Sequence, residues 1–324
     1  MEHRSIQTLP PESIIAIVDD PRSAEPVLRW AQGEAARLGC EALVVFAPAF
    51  DELAAHPLTG SALPLAVERV EAVIDRVDGH DPGPLPLVTR PESFSKQLRE
   101  ELVVAKPRLL VVGPGAVPPL AELLFGAYGN GGTPVVLVPQ APAKAARPRG
   151  PHRVLTVGFH ESAPAVQALS WAVAEAERTD AQVRAVVAWS EDQLGRLSGG
   201  MVVSSHRSAL PGHTAKRQSA DVLQASGVPL ERVRSVVVRG SPTAVLVREA
   251  ARSDLLVVGT SLTRVHEHPV LGATAAGCVE QTPVPIVVVP SDQHRYGQSS
   301  RHPASTRSMA AATASSTGPA VSTL

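Results

Sequence analysis

The stretch GTSLTRVHEHPVLGAT, residues 259–274, follows the apolar run DLLVV and opens on a glycine. A strand that stops at glycine and gives way to a polar loop is where α/β proteins aim backbone N–H groups at an anion. Thr260, Ser261 and Thr263 add hydroxyls. Arg264 brings a guanidinium that can take a phosphate bidentately, and Thr274 opens a helix whose N-terminus favours negative charge. Leu262 puts a Cβ where a phosphate loop wants close backbone approach. The same framework occurs earlier as GPGAVPPLAELLFGA, residues 113–127. Gly113 and Gly126 stand thirteen residues apart, as Gly259 and Gly272 do. In this copy Pro114, Pro118 and Pro119 each lack an N–H, so a turn that merely starts a helix is the better reading.

Other reactive residues form weaker sets. His266 and His268, with Glu267 or His160, have no third partner at metal-ligand spacing and read as a solvated loop. Ser204, Ser205 and His206 are adjacent in sequence without a G-x-S-x-G elbow, so they read as part of a long connection. No carboxylate pair or nucleophile–base set stands out, and nothing positions water, so an enzyme is not expected; weak ATPase activity is left open. Cys40 and Cys278 lie far apart and read as small buried hydrophobes, with no disulfide framework and no metal. Thirty basic residues against 31 acidic ones give a net charge of −1, which argues against nucleic acid as the main partner. No apolar run reaches the ~18 residues of a membrane span, and the N-terminus has no apolar signal core, so a cytoplasmic protein is expected.

The elements that must carry these residues repeat. Segment 27–47 aligns with 168–188, Trp30 on Trp171, an offset of 141 (171 − 30). PRLLVVG at 107–113 aligns with SDLLVVG at 253–259, and TPVVLVP at 133–139 with TPVPIVVVP at 282–290. The chain therefore divides into a flexible N-terminus (1–9), a first domain (10–141), a Pro- and Ala-rich linker (142–152), a second domain (153–292) and a disordered tail (293–324). In the second copy the patterning predicts strands at 153–159, 182–189, 232–239, 254–259 and 284–289. It predicts helices at 162–178, 213–226, 242–252 and 270–280. Near-continuous Val/Leu/Ile strands alternating with helices give an α/β fold: two tandem doubly wound domains, each with a five-stranded, mainly parallel sheet. The apolar closing strands VVLVP and PIVVVP are edge candidates, and unpaired edges seek partners.

With that frame, the sequence resembles the universal stress protein family in a tandem, two-domain form. The resemblance implies a Rossmann-like, adenine nucleotide alpha hydrolase-like fold. In that family the fourth strand ends in G-x2-G-x9-G-[S/T], which cradles the phosphates of ATP, and an Asp at the end of the first strand contacts the nucleoside. Here the outer glycines are Gly259 and Gly272, or Gly113 and Gly126. The middle glycine is replaced by Leu262 or Ala116, and the final hydroxyl residue by Ala273 or Ala127. The Asp is kept as Asp19; its second-half counterpart is His160. The resemblance thus implies ATP or a related adenine nucleotide in the second domain, held by Gly259, Thr260, Ser261, Arg264, Gly272, Ala273, Thr274, His160 and Ala188. Asp19, Gly113 and Gly126 form a degenerate counterpart in the first. Trp189, beside Ala188, either stacks on a base or fills the pocket. The resemblance also implies that the closing strands make the contact between the two domains or between two copies in a homodimer. The implied role is a non-enzymatic stress-response regulator with an unknown protein partner; the alternative is a ligand-free interaction scaffold in which both pockets are degenerate.

Overall fold

The computed structural model describes residues 9–47, 62–78, 85–89, 96–116, 132–140, 153–189, 216–217, 220–221, 223–224, 228–260, 263–265 and 268–291. The first half runs β1 (Ile14–Val18), α1 (Ala24–Leu38), β2 (Ala42–Phe46), α2 (Ala62–Asp78), β3 (Leu87–Thr89), α3 (Lys96–Ala105), β4 (Leu109–Val112) and β5 (Val135–Leu137). The second runs β6 (Val154–Gly158), α4 (Ala163–Thr179), β7 (Gln182–Trp189), β8 (Val233–Arg239), α5 (Pro242–Ala250), β9 (Leu255–Thr260), a hairpin of β10 (Thr263–Val265) and β11 (His268–Val270), α6 (Ala273–Gln281) and β12 (Ile286–Pro290). The predicted helix at 213–226 lies mostly outside the described residues.

Each half is a parallel sheet with the same strand order, β3-β2-β1-β4-β5 and β8-β7-β6-β9-β12. The closing strands are not edges. They pair with each other, antiparallel, Ile286 with Leu137 and Val288 with Val135, and fuse the halves into one ten-stranded sheet. The ends of that sheet are β3 and β8, and β8 is only partly covered. Central strands such as β1 (IIAIV) are buried on both faces, as an all-apolar run requires. Alternate residues feed two apolar layers: Ile14, Ala16 and Val18 pack beneath α1, α2 and α4, and Ile15 and Ile17 face the side of α3, α5 and α6. Both layers run through both halves, so the core does not stop at the joint.

Local chemistry explains the helix ends. Ser162 caps α4 by accepting from Ala165 N–H, with Pro164 in the first turn. Left-handed residues close α1 and α4 at repeat-equivalent places, Gly39 (φ 62°) and Asp180 (φ 48°). α6 begins at Ala273, later than the predicted 270, because Val270 is held in the hairpin and Gly272 is extended (ψ 144°).

Candidate functional site

In the second half β6 and β9 are neighbours, and their following helices leave to opposite faces: α4 joins one apolar layer, α6 the other. The carboxyl ends of these two strands therefore flank a crevice of the kind that holds ligands in open α/β sheets. His160, two residues beyond β6, is exposed at its mouth. Its Nε2 lies 3.4 Å from the hydroxyl of Ser162, the cap of α4. Crowding by surrounding protein lowers the imidazole pKa from 6.5, so the ring is neutral at physiological pH.

The loop after β9 differs from the open phosphate loop expected from its sequence. Gly259 is needed for packing: a Cβ there would collide with the carbonyl of Pro164, where α4 crosses the strand. Thr260 is buried and its groups are used internally. Its Oγ1 accepts from Gly272 N–H at 3.3 Å, and its carbonyl accepts from Ser291 N–H at 3.2 Å. The expectation that its hydroxyl faces a ligand is corrected accordingly. Residues 263–265 and 268–270 form an antiparallel hairpin, pairing Thr263 with Val270, Arg264 with Pro269 and Val265 with His268. Proline has no N–H, so the Arg264–Pro269 pair is the one without ladder bonds. Thr263 and Val265 then spend their N–H groups on the ladder, and that of Arg264 points outward. Among the described residues, then, much of the loop's hydrogen-bonding capacity is used within the loop itself. Ser261, Leu262, His266, Glu267 and the Arg264 side chain lie outside the described residues. Beyond the hairpin, Ala273 and Thr274 are exposed in the first turn of α6, and Gly272 has an ordinary backbone conformation.

At the far side of the crevice Trp189 and Arg239 end β7 and β8 in register, with the guanidinium 5.8 Å from the ring centroid. Trp189 is half-buried and has a cationic partner within the protein. Ala188, one residue earlier, packs toward the α5–α6 layer.

In the first half the aspartate is buried. Asp19 is 8% exposed, and its Oδ1 accepts from Asp20 N–H (2.9 Å) and from the Ser23 hydroxyl (3.4 Å). Burial raises its pKa from 3.8 despite those bonds. A short 3-10 turn, Pro114–Ala116, lies against it, and a Cβ on Gly115 would strike the carboxylate. Gly113 is buried beside Ser23 and Val27, where a Cβ would meet only side-chain atoms, Ser23 Oγ at a tight 3.3 Å. Gly126, Ala127, Pro118 and Pro119 lie outside the described residues, as do Ser204, Ser205 and His206. Among the described residues no three His, Cys, Asp or Glu converge as a metal site, and no helix is long and apolar enough to cross a membrane.

The model of the universal stress protein family matches residues 152–290. Residues 152–290 thus form a universal stress protein domain. Universal stress protein Rv3134c of Mycobacterium tuberculosis is 31% identical over 139 residues, 43% of this chain and 49% of that protein. Universal stress protein Rv2028c of the same organism is 28% identical over 135 residues, 42% of this chain and 47% of its own length. The chain thus spans about half the length of the curated relatives it matches. The crystal structure of a universal stress protein from Archaeoglobus fulgidus covers 87% of this chain and 97% of its own, at 15% identity and a TM-score of 0.49.

Sequence reasoning missed several polar groups that fix this fold. Thr156 and Ser253 share a buried hydrogen bond, and Asp254 accepts from Val154 N–H at 2.8 Å. Arg184 pairs with Glu249 at 2.8 Å. Glu34 and Glu175, both 1% exposed, sit on α1 and α4 where the halves meet. The offset of 141 that aligns Trp30 with Trp171 also aligns this pair, and it was the signal that could have found them.

Proposed function

We propose that this protein is a non-enzymatic, cytoplasmic stress-response regulator in which residues 10–141 and 153–292 act as two domains, and the second takes ATP or a related adenine nucleotide. The observation that carries the reading is the contrast between the crevices. Asp19 is walled in by the Pro114–Ala116 turn. In the second crevice, His160 and the first turn of α6, at Ala273 and Thr274, face solvent at the switch point. A helix N-terminus with its side chains exposed is suited to an anion, and the outward N–H of Arg264 adds a donor on the hairpin. A nucleotide here would meet a neutral imidazole in place of the family's carboxylate. That offers one acceptor nitrogen to a ribose where a carboxylate offers two oxygens. Equilibrium titration of the full chain with labelled ATP tests this: saturable binding that is unaffected by Asp19→Ala and altered by His160→Ala is expected. No saturation at millimolar nucleotide sinks it.

A second reading has its own observation. The hairpin and the Thr260–Gly272 bond leave the loop satisfied without a ligand. On that reading the protein is a ligand-free scaffold for a protein partner. A nucleotide copurifying with the chain, seen by mass spectrometry, would eliminate it.

A further inference from the structure

The joint between the halves buries two carboxyl groups against each other. Glu34 on α1 and Glu175 on α4 are repeat-equivalent, and so are Arg37 and Arg178, each one turn further on. Arg37 bonds Glu34 Oε2 at 2.7 Å, and Arg178 bonds Glu175 Oε2 at 2.9 Å. The symmetry then breaks. Arg153, at the foot of β6, crosses the joint to Glu34 Oε1 at 2.7 Å. Its equivalent in the first half, 141 residues earlier, is Glu12, which pairs instead with Arg108 at 3.5 Å. Glu175 Oε1 therefore has no second guanidinium. It is buried without a hydrogen-bond partner, and the group within bonding reach of it is the carboxyl of Glu34.

Two carboxylates cannot face each other in a buried site with both ionised; one keeps its proton and donates it to the other. Glu34 is bound by two guanidiniums and Glu175 by one, so Glu175 is the carboxyl that carries the proton. We propose that Glu175 and Glu34 share one proton across the α1–α4 joint, which makes the joint a latch that loosens when the proton leaves. The charged and titratable groups around it are Arg37 and Cys40 at the end of α1, Arg178 on α4, Arg153 at β6 and Arg108 ahead of β4. Arg37 and Arg178 are 49% and 42% exposed, so water screens much of their charge. Burial, and the Glu34 carboxyl beside it, push the Glu175 pKa above 4.5. A carboxyl raised in the folded state gives stability that is complete below 4.5 and lost as pH rises through the folded value. The joint is thus tighter in mildly acid than in alkaline solution.

Carbon-13 NMR of the full chain with labelled glutamate carboxyls tests this. One resonance should titrate well above the rest, and it should vanish in Glu175→Gln, whose amide can replace the shared proton by donating to Glu34. The thermal midpoint of that variant should also change less than the wild type's between about pH 5 and pH 8. Should Glu175→Gln fail to fold, Glu34→Gln carries the test: the high signal must move down. If every glutamate titrates in the ordinary range, or if the high signal survives unmoved in both variants, the proton is not shared and the proposal falls.

Discussion

The two glycines that end β4 and β9 predict opposite responses to the same change. Neither Gly113 nor Gly259 has a positive φ, so alanine is acceptable to the backbone at both, and only space decides. At Gly113 a Cβ would lie 3.3 Å from Ser23 Oγ and 3.5 Å from Val27 Cγ2, both side-chain atoms that can turn aside. Gly113→Ala should therefore change stability by no more than about 0.5 kcal/mol. At Gly259 the Cβ would overlap the Pro164 carbonyl and stand 3.0 Å from Ala165 N, and none of these atoms has a rotamer to change. Restoring van der Waals separation needs a displacement on the order of 1 Å of the α4 N-terminus. That movement strains the Ser162 cap and opens the layer beneath Ala165 and Ala168. The cost should be on the order of 3 kcal/mol, the upper end of overpacking penalties. Urea titration of the full chain, followed by tryptophan fluorescence, compares the two variants. The mid-transition urea concentration should fall clearly for Gly259→Ala and hardly for Gly113→Ala. Equal midpoints would refute the reasoning, because the close passage of α4 over β9 would then not be what requires glycine.

Three further outcomes follow from buried charge and burial of thiols. Arg153→Ala leaves Glu34 with Arg37 alone, and should cost about 2–3 kcal/mol in denaturant titration, short of the full cost of an unpaired buried charge. Asp19→Asn should stabilise the chain at pH 7: Asp19 has a raised folded pKa, so the wild type loses stability as pH rises from 3.8 through the folded value, and the advantage of the variant should disappear below 3.8. Cys278, fully buried with its thiol pushed up to about 11, should resist iodoacetamide in the folded chain, while half-buried Cys40 is labelled first; peptide mass spectrometry reads the order, and early labelling of Cys278 would contradict it.

The sheet was legible in the sequence because its strands are apolar on both faces and its helices are periodic. Strand 182–189 and the start of α5 at Pro242 stand where the pattern put them. What escaped was structure whose signal is shorter than a period. β10 and β11 have three residues each, too few for alternation to show, and the sequence between them, His-Glu, lacks the Asn-Gly type of signature that marks a hairpin. Gly259 was read as a phosphate glycine because sequence shows that a side chain is absent, not which atom occupies its place. Glu34 and Glu175 look like ordinary solvent-facing helix charges, and only the antiparallel pairing of β5 with β12 brings α1 and α4 together and buries them.

That pairing also decides whether the complementary losses of the two halves can offset each other. The first half keeps the aspartate and the second keeps the more open crevice. Within each half all main-sheet strands are parallel, and the halves meet through an antiparallel pair. The carboxyl ends of β1 and β4 therefore point to one end of the ten-stranded sheet, and those of β6 and β9 to the other. Asp19 and His160 sit at opposite ends, and no composite site can form within one chain. A ligand of the second crevice would draw on groups of the second half alone; among the described residues, the imidazole of His160, the Arg264 N–H and the first turn of α6 lie on that side. Because that imidazole is neutral at physiological pH, it adds no charge of its own to the site, and the described group there that favours an anion is the helix N-terminus.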